Sequence, residues 1–315
     1  MSAEPYIQQN YSIQSSPQNA YIGHDSLGIG LNPGIYQITH NAALTFKTTH
    51  TTDFNRQVEH FRLIDTIMPS VAFFGCSFTY GYSVNDNQHY PSLLQKDYPN
   101  HLMTNYGVIG YGTIQSLLQL QTLEHKQQLP DKVVLGFATD HFERNALTHQ
   151  YRRALKIGFD NSLETAKVSM KNAKFPYLEH PNEHIGFEPW NGLYKDWLGR
   201  DLFAAVNFIQ TQKDEYLDNR RDIVGISSTL IHRMHDICNR HNIEFLVILL
   251  DENERSLQLK RQLEASQISY VDVKFNFESP TYTNLPYDMH PNAEGHEYIA
   301  NKVKPAFKNL MNHEN

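Results

Sequence analysis

Residues 70–81, Ser-Val-Ala-Phe-Phe-Gly-Cys-Ser-Phe-Thr-Tyr-Gly, form the stretch on which the reading of the fold turns. Val71, Phe73 and Phe74 favour extended backbone, so the run predicts a buried strand that breaks at Gly75 and delivers the hydroxyl of Ser77 at its end. A helix beginning directly after Ser77 points its free N–H groups and positive dipole end at whatever that hydroxyl touches, which suits a developing anion. The same residues also fit a serine that merely caps a helix. The remainder of the chain has to separate the two.

Outward from this stretch, short apolar runs alternate with amphipathic segments, the pattern of a parallel sheet covered on both faces. Strands are expected at Val71–Gly75, Leu102–Tyr106, Lys132–Phe137, Glu244–Leu250 and Tyr270–Val273, and helices at about 88–97, 113–127, 222–241, 254–267 and 293–311. In the 222–241 segment Asp222 is placed to cap, and Ile223, Ile226, Leu230, Met234 and Ile237 make one stripe, which leaves His232 and His235 as solvated residues. The stretch 141–221 breaks the alternation and reads as an insertion rich in aromatics, among them Phe175, Tyr177, Phe187, Trp190, Tyr194, Trp197 and Phe203. Following a strand's carboxyl end, it is placed to form a lid or wall over the site, with Trp190 and Trp197 as candidate pocket residues, or to pack its aromatics into a small core of its own.

Ahead of the sheet, residues 1–20 lack periodicity and read as an extended arm or poorly ordered tail. Runs such as Ile35–Ile38 and Leu44–Lys47, punctuated by glycines and Pro33, predict a small β-hairpin annex. The organisation expected is therefore an arm and β-rich annex over 1–66 and a main domain over 67–315. Asp25-Ser26-Leu27 imitates part of a hydrolase signature, but no strand precedes it, and Ser26 reads as a turn residue.

Composition removes several classes of function. With 27 basic and 34 acidic residues the formal charge is −7, and no Lys/Arg block is present to track a phosphate backbone, so nucleic acid is not an expected partner. The apolar run Phe245–Leu250 is far too short to span a bilayer, and the first residues carry neither a basic start nor an apolar segment. Cys76 and Cys238 make no disulfide framework and no zinc-binding pair, which fits a cytoplasmic setting. No cofactor is expected. His180-Pro-Asn-Glu183-His184 matches a zinc-peptidase pattern in letters, but that pattern needs both histidines on one helical face, and Pro176, Pro181, Gly186 and Pro189 make poor helix.

Two further segments bear on Ser77. Asn105-Tyr-Gly107-Val-Ile-Gly110-Tyr-Gly112-Thr113 follows the second strand, where glycines permit a tight turn with unshielded N–H groups. Near the C-terminus, Asp288-Met-His290-Pro-Asn292 places a carboxylate where it can fix an imidazole tautomer while the other ring nitrogen reaches a serine.

Taken together, Gly75-Cys-Ser77-Phe-Thr79-Tyr-Gly81, Asn105-Tyr-Gly-Val-Ile-Gly110 and Asp288-Met-His290-Pro-Asn with Gly295 resemble, in type, order and spacing, the motifs of the SGNH or GDSL-type hydrolase family. The resemblance covers about 68–140 and 244–311. It implies a flavodoxin-like three-layer α/β/α sandwich around a parallel five-stranded sheet. By position it makes Ser77 the nucleophile, His290 the general base, Asp288 its orienting partner, and the N–H groups of Gly110 and Ser77 the oxyanion hole. Two departures accompany it. The family's third motif ends in Gly-x-Asn-Asp, whereas the matching stretch here is Gly136-Phe-Ala-Thr139-Asp140-His141, so Thr139, Asp140 or His141 must stand in for the asparagine, or nothing does. Met289 alone separates Asp288 from His290, where many members have two residues.

The expected activity is hydrolysis of a small-molecule or carbohydrate ester through an acyl-enzyme at Ser77, with small acyl groups such as acetyl preferred by family analogy. An acyltransferase using the same residues, and a binding or scaffold protein that kept the fold without efficient catalysis, are the alternatives. A Gly-x-Ser-x-Gly elbow is disfavoured because Thr79 stands at its last position, and a phosphate-binding loop because no Gly-Lys-Ser/Thr ending follows.

Overall fold

A computed structural model describes residues 13–60, 68–160 and 168–312. The first twelve residues of the expected arm lie outside them. Residues 13–16 are not a loose tail: Ile13–Ser16 (β1) pairs antiparallel with the end of Gly34–His40 (β4), on the edge of β4 that its hairpin partner leaves open. Between them, Tyr21–His24 (β2) and Gly28–Leu31 (β3) form a hairpin, so a strand does precede Asp25-Ser26-Leu27, against the sequence reading, while Ser26 lies in the turn as expected. The predicted annex hairpin is present as β4 paired with Leu44–His50 (β5), each strand turning Tyr36, Ile38, Phe46 and Thr48 inward on a period of two.

The central sheet follows the expected order closely. Ser70–Gly75 (β6), Leu102–Asn105 (β7) and Lys132–Phe137 (β8) precede the insertion, whose hairpin is Lys174–Tyr177 (β9) and Gly186–Pro189 (β10). Glu244–Leu249 (β11) and Tyr270–Asp272 (β12) follow it. The five strands are parallel in the order β12, β11, β8, β6, β7. Both faces are apolar, as a doubly covered sheet demands. Ala72, Phe74, Val133, Leu135, Val247 and Leu249 face the helices Thr113–His125, Ile223–Arg240 and Glu254–Ala265. Val71, Phe73, Val134, Leu246 and Ile248 face Tyr90–Asp97 and Ala293–Asn312 through Leu94, Ile299, Val303 and Phe307. This is the three-layer α/β/α sandwich.

The Ile223–Arg240 helix is capped by Asp222, whose carboxylate accepts from the Gly225 N–H at 2.8 Å, and it buries the predicted stripe. His232 corrects the sequence reading. It is half-buried and bridges two helices, with Nδ1 at 2.7 Å from the Ser228 carbonyl and Nε2 at 2.6 Å from Ser266 Oγ. His235, also half-buried, packs against Phe245. Both lie off the stripe yet reach neighbours, because imidazole is long enough to cross the groove between packed elements.

The annex is sewn to the sheet by Arg56, which is fully buried. Its backbone bridges His50 and Asn105, carrying the annex onto the β7 edge. Its guanidinium lies over the Tyr80 ring at 4.5 Å, donates to the Tyr80 carbonyl at 2.7 Å and the Val84 carbonyl at 2.6 Å, reaches the Gly81 carbonyl, and pairs with Asp86 at 3.2 Å. Buried charge is tolerated when paired and hydrogen-bonded in this way. Around it Leu31, Tyr36, Ile38 and Phe46 pack with Tyr80, Tyr82, Val108 and Tyr111, so the annex shares a core with the two loops that follow β6 and β7.

Candidate active site

Ser77 opens the four-residue helix Ser77–Tyr80 at the carboxyl end of β6. The turn before it needs glycine. Gly75 has φ of +151°, and a Cβ there would lie 2.2 Å from Thr79 Oγ1 and 2.8 Å from the Gly136 carbonyl. Cys76 is no competing nucleophile, since it is fully buried and burial pushes its thiol up.

The structure brings Ser77, His290 and Asp288 together. His290 Nε2 lies 2.8 Å from Ser77 Oγ, and its Nδ1 lies 2.8 and 3.0 Å from the Asp288 oxygens. The one-residue spacing is explained by backbone: Asp288–Pro291 (β14) is a strand, paired with Thr283–Asn284 (β13). Residues two apart on a strand share a face, so Asp288 and His290 point inward together while Met289 is exposed. The Asn284 side chain donates to the His290 carbonyl at 3.0 Å, and Asn292 ties the far end to the Thr281 and Thr283 carbonyls at 3.0 Å each. His290 packs between Phe78 and Tyr82, with ring centroids 5.1 and 4.8 Å away.

Asp288 has supports the sequence reading missed. Ser83 Oγ donates to Asp288 Oδ2 at 2.7 Å, and His40 Nδ1, from the last residue of β4, lies 3.7 Å from the same oxygen. Although burial alone raises a carboxyl, the hydrogen bonds from His290 and Ser83, with the His40 imidazole close by, hold Asp288 well below the usual carboxylate range. It is a fixed anion. Ser83 takes a φ of +74°, uncommon for a non-glycine residue, in the loop whose carbonyls Arg56 grips. The sequence offered no signal for His40, which stands 248 positions from Asp288.

In the loop after β7, which the Val108 N–H ties to the Gly75 carbonyl at 3.2 Å, the Tyr111 N–H bonds the Val108 carbonyl at 3.3 Å and Gly110 has φ of +74°, the arrangement of a type II turn with glycine at its third position. The flipped central peptide of such a turn turns the Gly110 N–H away from the turn's own hydrogen bond, and among the described residues that N–H has no partner. The turn is held from outside. Tyr151, in the insertion helix His149–Asp160, donates to the Gly110 carbonyl at 3.0 Å, and Arg144, paired with Asp140 at 2.8 Å, donates to the Tyr111 carbonyl at 3.1 Å. Tyr111 Oη in turn reaches the Ile29 carbonyl of the annex at 2.6 Å. Gly107 lets the loop approach, since a Cβ there would lie 2.5 Å from the Tyr80 nitrogen.

The three third-motif candidates are occupied elsewhere. Thr139 gives its N–H to Asp251 at 2.8 Å and its hydroxyl to the same carboxylate at 2.5 Å. Asp140 is exposed and pairs with Arg144. His141 is fully buried, with Nδ1 3.1 Å from Thr113 Oγ1 and its ring against Phe137; burial drives it well below the usual imidazole range. None of the three side chains hydrogen-bonds Ser77, His290 or Gly110 among the described residues. His180 and His184 lie in the turn between β9 and β10, not on a helix. An open cleft of about 930 Å³ beside the annex, lined in part by Lys47, Glu59, Asn85 and Asp86, contains no triad residue. Trp190 packs at the margin of the insertion's cluster of Leu147, Met170, Phe175 and Leu193, where Ile29 and Tyr151 also meet. Trp197 lies outside that cluster and is exposed.

No protein-family model and no curated protein matches the chain. Solved structures do. The fold is similar to that of a lipolytic G-D-S-L family member from Veillonella parvula, at 13% identity over 76% of this chain and 98% of that one, with a TM-score of 0.42. It is also similar to the psychrotrophic esterase EstA from Pseudoalteromonas sp., at 10% identity over 78% and 99%, with a TM-score of 0.40. A third is a variant of Axe2, an acetyl xylan esterase from Geobacillus stearothermophilus, at 14% identity over 78% and 96%, with a TM-score of 0.38. Among the described residues no helix is long and apolar enough to cross a membrane.

Proposed function

We propose that the chain is a serine ester hydrolase of the SGNH type. The observation that carries this reading is the unbroken chain from Ser77 Oγ through His290 to an Asp288 carboxylate whose oxygens are all engaged. In the reaction Ser77 Oγ attacks the ester carbonyl while His290 Nε2 takes its proton, and Asp288 holds the imidazolium that forms. The Ser77 and Gly110 N–H groups receive the oxyanion. Collapse expels the alcohol, protonated by His290. Water, deprotonated by the same nitrogen, then releases the acid and frees Ser77.

Acetyl esters of carbohydrates or small metabolites are the substrate class we propose. Hydrolysis of p-nitrophenyl acetate and butyrate tests both parts. Acetate is expected to turn over faster, and Ser77→Ala and His290→Ala are each expected to lower kcat by roughly 10⁴–10⁶. Parent protein that neither turns over these esters nor takes a fluorophosphonate label at Ser77 would refute the reading.

A further inference from the structure

The helix Ala204–Asp218 in the insertion is built inside out. Its inward residues are polar: Gln210 and Asp214 are 3% and 7% exposed. Gln210 accepts from the Trp197 N–H at 2.8 Å and donates to the Lys195 carbonyl at 3.0 Å, and Asp214 accepts from the Tyr194 hydroxyl. Arg200, itself 4% exposed, lies 3.8 Å from Asp214 and donates to Asn207 at 2.9 Å and Thr211 at 3.1 Å. The segment before the helix is thus clamped to it by buried polar contacts. The large apolar residues of the helix and of the segment leading into it are left outside: Leu198, Leu202 and Phe203 before the helix are 101%, 81% and 62% exposed, and Phe208 and Ile209 on it 64% and 55%. An ordinary surface helix does the opposite, and monomeric proteins rarely present such a patch without a partner.

We infer that this face is a two-fold interface with a second copy of the chain, a conclusion independent of the catalytic reading. Area is the reason. At roughly 180 Å² for a fully exposed large side chain, the five residues present on the order of 650 Å², close to the ~800 Å² each partner gives a standard interface. A lipid surface fits worse. A helix lying in a membrane keeps Lys and Arg in water on its polar face, but here that face is turned inward and Arg200 is consumed there.

Light scattering after size exclusion, with sedimentation velocity, reads the outcome on the full chain. The parent is expected at about 73 kDa, twice the chain mass of 36.5 kDa. Leu202→Glu with Phe208→Glu, both at exposed positions, is expected to run at the monomer mass with an unchanged circular dichroism spectrum. Ile209→Cys is expected to cross-link to a covalent dimer with a short bismaleimide, since Cys76 and Cys238 are buried and do not compete. A parent that stays monomeric at tens of micromolar would overturn the inference. So would a dimer that survives the double substitution and fails to cross-link, or binding to phosphatidylcholine–phosphatidylglycerol vesicles that the double substitution abolishes.

Discussion

Two strand ends flank Ser77, and their side chains are spent differently. At β14 both inward residues converge on Ser77: Asp288 receives His290 and Ser83, with His40 nearby, and His290 reaches Ser77 at 2.8 Å. At the end of β8 the corresponding residues serve the scaffold: Thr139 is tied to Asp251, just beyond β11, and His141 is sealed against Thr113 and Phe137. The helix that follows β8 still acts on the site, but at one remove. Arg144 holds the Tyr111 carbonyl, and the Asn145 side chain accepts from the Ile114 N–H at 3.0 Å while donating to Ser227 at 3.0 Å. An oxyanion hole can be built from direct side-chain donors or from backbone donors that are rigidly aimed, and the mechanism we propose uses the second.

The comparison breaks most sharply at Asp288. If the triad side is set by a charge that fixes one imidazole tautomer, then Asp288→Asn leaves size and the Ser83 neighbourhood intact yet presents the wrong hydrogen-bonding edge to Nδ1. The expected loss in kcat is about 10⁴, with KM for p-nitrophenyl acetate little changed. A loss of only a few-fold would mean that the carboxylate merely fills space.

A smaller effect is expected on the oxyanion side. Gly110→Ala has room for its methyl, because the nearest atoms would be 3.5 and 3.6 Å away, so its cost comes from backbone. An alanine at φ of +74° costs about 1–2 kcal/mol, which favours rotation of the central peptide and loss of one donor. The expected fall in kcat is about 10², at the low end for removal of an oxyanion donor. Tyr151→Phe removes the external hold on the same turn and is expected to lower kcat about five- to tenfold, as one neutral hydrogen bond allows. KM changes without a kcat change in either variant would place the turn in binding, not in charge stabilisation.

How far the sequence carried this reading differs between the same two sides. The five strands and their helices are legible because periodicity is a local property, readable within a dozen residues; Ser77, Gly110, Asp288 and His290 are named through the resemblance of their motifs, and the structure sets His290 and Asp288 against Ser77. His40, Ser83, Arg56 and Tyr151 are not, because each acts through a fold-level contact. His40 reaches Asp288 because the annex docks on the β7 edge through Arg56, and nothing in the neighbourhood of His40 encodes that docking. The inverted helix Ala204–Asp218 is illegible for another reason. Its pattern of Phe208 and Ile209 against Gln210 and Asp214 is amphipathic in the usual way, and only the fold reveals which side faces inward.

The least change in activity is expected at Thr139, one of the three residues standing near the place of the family's third-motif asparagine. Because its N–H and hydroxyl both go to Asp251, the side chain is expected to contribute to stability and not to turnover. Burial raises the Asp251 carboxyl while the two Thr139 hydrogen bonds lower it, so removing the hydroxyl leaves a buried acid with one fewer donor. Thr139→Ala is then expected to lower unfolding free energy in a urea titration by about 1–3 kcal/mol, with kcat within threefold of the parent. Thr139→Asn sharpens the point: restoring the family's residue is expected to give no gain in kcat, since the position is aimed at Asp251. A tenfold gain would instead mean that the asparagine swings into the oxyanion hole and that this side of the site retains the geometry for a third donor.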